Sequence, residues 1–337
     1  MSALSGQQPG SGGGKVAVVF TGGTISMRID PVLGGPVPAL HGQELLALTP
    51  GIDEIAETVA IDWGLVPASH LSFDQVIDLA DTVRSAAERV DVAGVVVVQG
   101  TDTIEETSFA LDLLVETAKP IVVVGAMRNA SEDGFDGPAN LRGAVRCAVA
   151  PSLAGAGVVV AMAGEIHAAD DVVKTHSDAY TTFQSPNFGR LGVIDSAGIC
   201  IARRKTGHSV LHARRAEPVA LVTVGLGMDA AILDVLRIAG AHGIVVAATG
   251  AGNTHPDFVE QARAAIEAGV PVVLATRCSA GRAKPAYGFP GGGRSWQQAG
   301  AIFAGFLHPL KARVALSLAL GAGMTRVQLE DYFAQFG

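Results

Sequence analysis

Three stretches of the sequence bring hydroxyls, a carboxylate and a lysine into an order that could do acyl transfer. Thr21-Gly22-Gly23-Thr24-Ile25 follows one apolar run, Gln99-Gly100-Thr101-Asp102-Thr103 follows another, and residues 166–177 hold His167, Asp170, Asp171, Lys174, Thr175 and His176. A threonine hydroxyl is a weak nucleophile at neutral pH and needs a neighbouring base to take its proton. Lys174 follows Val172-Val173, so partial burial would suit it to that task, with Thr101 and Asp102 completing the cluster. Asp102 at a helix start could also hold a substrate amine. Each stretch has a plainer reading as well: a tight turn for Gly22-Gly23, a helix-start carboxylate for Asp102, a solvated lysine for Lys174. Thr103 and Glu106 have capping-box spacing, which predicts Thr103 as the N-cap of the helix that follows.

Other chemistries are excluded by pattern. No GxSxG occurs, so the serine nucleophile elbow is absent, and neither a complete GxGxxG nor a Gly-Lys-Ser/Thr follows a strand to cradle phosphate. His167, Asp170, Asp171 and His176 match no metal-ligand spacing such as HExxH; no metal and no organic cofactor are expected. The net charge of −8 argues against nucleic acid, and no apolar run reaches the roughly 18 residues of a membrane span. Cys147, Cys200 and Cys278 sit in apolar sequence without CxxC spacing and read as reduced core residues. Residues 1–14 are rich in Gly, Ser and Gln, without the basic start and apolar segment of a signal peptide, which predicts a floppy leader and a cytoplasmic protein.

The elements that would position these groups are legible as alternation. Residues 16–20, 95–98, 121–124, 158–162, 221–224, 244–248 and 272–275 are short, uniformly apolar and valine-rich, as strands buried on both faces are. Residues 74–90 carry Val76, Leu79, Val83, Ala86 and Val90 at helical spacing, and residues 104–116 carry Ile104, Ala110, Leu111, Leu114 and Val115. The class is α/β, with parallel sheets and interleaved helices. A length of 337 residues suggests two domains. The pattern lapses between 202 and 218 into a basic run with Arg203, Arg204, Lys205, Arg214 and Arg215, read as a solvated connector. The expected division is a leader at 1–14, a larger parallel-sheet domain at 15–202 carrying the threonines, a linker at 203–218, and a smaller α/β domain at 219–337.

Taken together, these motifs resemble the bacterial-type asparaginase/glutaminase family of threonine amidohydrolases. The resemblance rests on Thr21-Gly-Gly-Thr-Ile25, Gly100-Thr-Asp-Thr103, Gly125-Ala-Met-Arg128, Asp136-Gly-Pro-Ala-Asn-Leu141, the lysine segment from Asp171 to Thr175, and Lys311-Ala-Arg313, and it spans the chain beyond the leader. It implies an asparaginase-like fold and an acyl-enzyme route that frees ammonia from the side-chain amide of asparagine or glutamine. Thr21 would be the nucleophile, with Thr101, Asp102 and Lys174 as the family's second threonine, aspartate and lysine. Ser69 would meet the substrate carboxylate, and backbone around Gly100, Thr101 and Ala126 would face the oxyanion. It also implies a homotetramer in which His255 and Gln297 or Gln298 of a neighbour complete the site. The chain departs from the family pattern in having no tyrosine within residues 26–40 and His70 after the serine. Two other readings therefore stay open: an amidase for a different small amide or lactam, and a non-catalytic amino-acid-binding protein. In every reading the partner is a small molecule.

Overall fold

The computed structural model describes residues 14–337. The expected leader, up to residue 13, lies outside them. The first four valine runs form the interior of an eight-stranded sheet. Along the chain its strands are β1 (Lys15–Phe20), β4 (Thr58–Asp62), β5 (Val92–Val98), β6 (Ile121–Val124), β7 (Val158–Met162), β8 (Glu165–Ala168), β11 (Gly192–Asp195) and β12 (Gly198–Ile201). Two small hairpins fall between them: β2 (Met27–Asp30) with β3 (Gly35–Pro38), and β9 (Val173–Lys174) with β10 (Phe183–Gln184). The sheet order is β12-β11-β8-β7-β6-β5-β1-β4, parallel from β7 to β4 and antiparallel from β7 to β12. A second sheet, β13 (Val219–Thr223), β14 (Gly243–Ala248), β15 (Val272–Thr276) and β16 (Ile302–Phe303), is wholly parallel.

The large sheet has the fold class read from the sequence, and its strand order identifies its working edge. β1 lies between β4 and β5; the chain leaves β1 toward β4 on one side, then crosses to β5 and runs on to β6 on the other. Adjacent parallel strands whose connections diverge leave a crevice at their carboxyl ends, where ligands of open α/β sheets collect. Phe20 pairs with Val98, so Thr21 and Gln99 leave the sheet side by side.

Helices cover both faces: α1 (Gly42–Ala47), α2 (Phe73–Glu88), α3 (Ile104–Leu114) and α4 (Gly137–Ala148) with the large sheet, and α5 (Ala231–Ile238), α6 (Pro256–Glu267), α7 (Gly293–Ala299), α8 (Pro309–Gly321) and α9 (Arg326–Ala334) in the later part. Ser72 caps α2 and Gln75 reciprocates from the third helical position. That helix stops at Glu88, so Val90, expected on its apolar face, is fully exposed instead. α8 is apolar nearly all round because it is wedged between the small sheet and α3, burying Ala312, Val314, Leu316 and Leu318. Among the described residues no helix is long and apolar enough to cross a membrane. Of the cysteines only Cys147 is buried, where desolvation pushes its thiol up to about 12; Cys200 and Cys278 are exposed, contrary to the core reading.

The basic stretch is not simply solvated. The Lys205 side chain is only 7% exposed and, with His208, reaches the carboxylate of Asp112 on α3, His208 Nε2 donating at 2.7 Å. The other carboxylate oxygen accepts from Val158 N at 2.7 Å. Burial alone would push the Asp112 carboxyl up, but Lys205 and His208 outweigh it and hold it down at about 2. Leu211 N donates to Leu113 O, so the stretch is pinned along α3. Asp112→Ala would leave the buried Lys205 ammonium, the His208 ring and one strand amide unpaired, and urea unfolding is expected to show a loss of about 3 to 5 kcal/mol. A loss below about 1 kcal/mol would mean that the stretch is held elsewhere.

Candidate active site

The cluster read from the sequence assembles at the crevice between β1 and β5. After β5 the chain enters a 3₁₀ turn, Thr101–Thr103, that leads directly into α3. Lys174 arrives on β9, opposite Phe183 of β10. Its ammonium donates to Thr101 Oγ1 at 2.9 Å and to Asp102 Oδ1 at 2.7 Å. Thr101 is buried and the lysine side chain is 14% exposed, whereas Asp102 is 68% exposed and faces outward. A hydroxyl and an amine in contact inside the protein, beside a carboxylate at its surface, can pass a proton and hold a charged ligand at once.

Thr21 is completely buried at the neighbouring strand end, where its N–H and its Oγ1 both reach Val98 O at 3.0 Å. The two turns touch through glycine. A Cβ on Gly23 would collide with the amide nitrogen and Cα of Gly100, and Gly23 has φ +90°. Gly100 faces Ala68 in turn, 3.0 Å from a Cβ built on it, and Thr103 Oγ1 donates to Ala68 O at 3.1 Å. This contact seats the 3₁₀ turn Ala68–His70, with Ser69 and His70 exposed, against the Thr101 turn. Ala126 is buried just beyond β6, where Asp136 accepts from Met127 N and Arg128 N and Asn140 Nδ2 donates to Gly125 O.

One expectation at the site is corrected. Thr103 occupies the N-cap position of α3 but its hydroxyl does not cap; the tertiary acceptor on Ala68 and a donor from Gln99 Nε2 at 3.2 Å engage it instead. His255, expected to serve the site of a neighbouring copy, lies apart from Thr101 within its own chain. It caps α6, pairs with Asp257 at 3.3 Å and lines a cavity of about 690 Å³ in the later part of the chain with Asn253 and Arg277, a cavity that includes neither Thr21 nor Thr101 nor Lys174. Gln297 and Gln298 are exposed on α7. The residues that raised a metal have local partners. His167 Nδ1 meets Ser185 Oγ at 3.0 Å and desolvation lowers its ring to about 4, Asp171 accepts from Asn187 N and Phe188 N, and His176 Nδ1 accepts from Asp178 N and Ala179 N.

Two buried ions beside the cluster have no role in the sequence reading, although Lys311 opens one of the motifs that carry the resemblance. Glu105 Oε2 accepts from Lys174 N at 3.0 Å, and desolvation raises its carboxyl against the pull of Lys311 and Lys174. Lys311 sends its ammonium between the two segments that carry Lys174 and Thr101. Neither is signalled by spacing; only a lysine in the apolar stretch of α8 hints at it. Asn253, two residues before His255, was also missed; its carboxamide oxygen is buried without a partner.

The fold and the cluster define an α/β protein with a threonine–lysine–aspartate site at a parallel-sheet switch point. The family profiles agree: "Asparaginase, N-terminal" matches residues 15–206 and "Glutaminase/Asparaginase C-terminal domain" matches residues 218–333. The chain belongs to the asparaginase family. It is 35% identical to a probable L-asparaginase of Deinococcus radiodurans, over 95% of this chain and 97% of that protein. It is 30% identical to an L-asparaginase of Bacillus licheniformis, over 91% and 96%. The crystal structure of a probable cytoplasmic L-asparaginase from Campylobacter jejuni superimposes with a TM-score of 0.86 at 31% identity, covering 95% of this chain and 99% of that one.

The glycine contact makes a test of the site's geometry. Gly23→Ala meets both an unfavourable φ and the Gly100 backbone, whereas Gly34→Ala has φ +67° and open space. The second should cost about 1 kcal/mol and the first at least about 2 kcal/mol more in urea unfolding. Equal losses would show that the two turns do not press together.

Proposed function

We propose that the chain hydrolyses the side-chain amide of asparagine, and of glutamine as a second substrate, through an ester on Thr21. The observation that carries this reading is the contact of Lys174 Nζ with Thr101 Oγ1 and Asp102 Oδ1, one strand away from a threonine in a glycine-flanked turn. Thr21 Oγ1 attacks the amide carbon as the Thr101–Lys174 pair takes its proton, and the tetrahedral oxyanion faces backbone N–H groups near Thr101 and Ala126; one lost donor of that kind costs about 3 kcal/mol. The C–N bond breaks as the pair returns that proton to the nitrogen, and ammonia leaves. Water then gives a proton to the Thr101–Lys174 pair and attacks the ester, releasing the acid and restoring the Thr21 hydroxyl. Asp102 binds the substrate ammonium, and Ser69 with His70 takes the carboxylate end.

The reading extends to the assembly. The chain divides at residues 203–218, is cytoplasmic, and forms a homotetramer in which His255 and Gln297 or Gln298 of one copy close the site of another. Leu226, Val235 and Ile238, exposed apolar residues in or near α5, support a covered face there. The hairpin β2–β3 stands where the family's loop would carry tyrosine and has none, which favours a shifted amide preference as the second reading.

Purified protein is expected to release ammonia from asparagine. Thr21→Ala and Thr101→Val should each lower turnover at least about 10³-fold while circular dichroism stays unchanged. A panel of asparagine, glutamine, their D-forms and simple lactams that yields no ammonia above background would leave the binding-protein reading standing.

A further inference from the structure

We infer that Lys311, which lies on α8 and touches none of the groups assigned to chemistry, is the positioning residue that holds Lys174 against Thr101. The inference rests on the proposed role of Lys174. Lys311 is 1% exposed and sits in the first turn of α8. An ammonium has three donors and no acceptor, and here all three go to main-chain carbonyls: Glu105 O at 2.8 Å, Ala169 O at 2.8 Å and Val172 O at 2.6 Å.

The positions of those carbonyls give the contact its meaning. Ala169 and Val172 belong to the tight turn, closed by Asp171 N and Val172 N on Ala168 O, that feeds β9; Lys174 lies two residues beyond Val172. Glu105 is in the first turn of α3, two residues after Thr103. One buried ammonium therefore clamps the two chain segments whose side chains meet at the cluster. The loop closes where Lys174 N donates to Glu105 Oε2 at 3.0 Å. With so little chain between clamp and ammonium, a shift of Val172 passes directly to Lys174 Nζ, and a misplacement of about 1 Å at a catalytic group costs on the order of 10²-fold in rate.

A packing role alone does not explain the residue. Burying a cation is costly, and a methionine would fill the same channel between α8 and α3 without that cost. Desolvation indeed drags the Lys311 ammonium down to about 8, against the carboxylates of Glu105, Asp170, Asp171 and Glu106 that favour its charge. The ammonium supplies what methionine lacks, donors for three buried carbonyls that belong to no strand ladder. By this clamp the helix from the later part of the chain becomes part of the same chain's own active site.

The test is a kinetic cycle with asparagine, read as ammonia. Lys311→Met should lower kcat 10- to 100-fold with KM within twofold of the parent, because Asp102 and Ser69 still hold the substrate. Added to Lys174→Met, it should cost no further factor beyond about twofold, as expected when one residue acts through the other. Unchanged kcat in Lys311→Met, a KM that moves with kcat, or the same fold-loss in both backgrounds would each overturn the inference. A crystal structure of Lys311→Met supplies a readout independent of turnover, with Lys174 Nζ expected beyond hydrogen-bond distance of Thr101 Oγ1; an intact contact overturns the clamp. If the wild type releases no ammonia, or Lys174→Met keeps full activity, the hydrolytic reading fails and the crystal structure still decides the clamp. Should Lys311→Met not fold, Lys311→Gln, which keeps two N–H donors, is measured by the same criteria.

Discussion

The approach of two backbone turns at the ends of β1 and β5 constrains the whole site. The strands are hydrogen-bonded neighbours, so the chain segments leaving them start about one strand spacing apart, and any side chain pointing between them would force the ends to splay. Gly23 facing Gly100 removes that obstacle from both turns. Thr21 and Thr101 are thereby buried within one crevice without either belonging to a flexible loop. The strands behind them, Val16 to Phe20 and Val95 to Val98, are almost wholly inaccessible, which leaves this edge little freedom to relax.

Such rigidity explains which features could be read in advance. Strands buried on both faces write themselves as valine runs, so β6 and β7 fall where the sequence places them and β1, β5, β14 and β15 differ only by a few end residues. β4 escaped because this edge strand is only partly buried along its length and carries no such run. β8, β11 and β12 are antiparallel, and β9 and β10 have two residues each; their pairing is set by what they lie against. Thr103 shows the same limit at one residue. Its spacing to Glu106 suits a capping box, but a carbonyl from a segment 35 positions earlier competes for the hydroxyl and wins. The contact of Thr101, Asp102 and Lys174 was legible because a threonine at neutral pH needs a base and these residues offer a hydroxyl, a carboxylate and an amine; the burial of Glu105 and Lys311 was not, because a charge in the sequence does not announce that packing will bury it.

Those buried charges form a pattern along α3. Glu105 and Asp112 lie two turns apart on this helix, close to one face of it, and each joins a segment from elsewhere in the chain. Asp112 gathers Lys205, His208 and the amide of Val158, so the connector cannot drift from the large sheet. Glu105 gathers the amide of Lys174, and its own carbonyl takes the ammonium of Lys311. A buried ion is tolerable only when its donors or acceptors are all met, and that demand leaves few arrangements open to the segments supplying them. α3 therefore acts as the spine on which connector, α8 and lysine turn are registered.

The groups nearest the surface obey a different rule. Asp102, Ser69 and His70 are exposed, the tip of the β2–β3 hairpin presents Val32 and Leu33 to solvent, and His255 stands apart on α6 with its own partner. None is fixed by the dense packing that fixes Thr21, Thr101 and Lys174. A substitution among these outer residues disturbs few buried contacts, while one in the inner cluster breaks a clamp or a strand end. In the proposed roles, the reacting group is thus tied to the stability of the fold and the recognition of substrate is not. A chain without a tyrosine in residues 26–40 and with His70 beside Ser69 can therefore keep the inner geometry intact while its proposed preference among small amides differs.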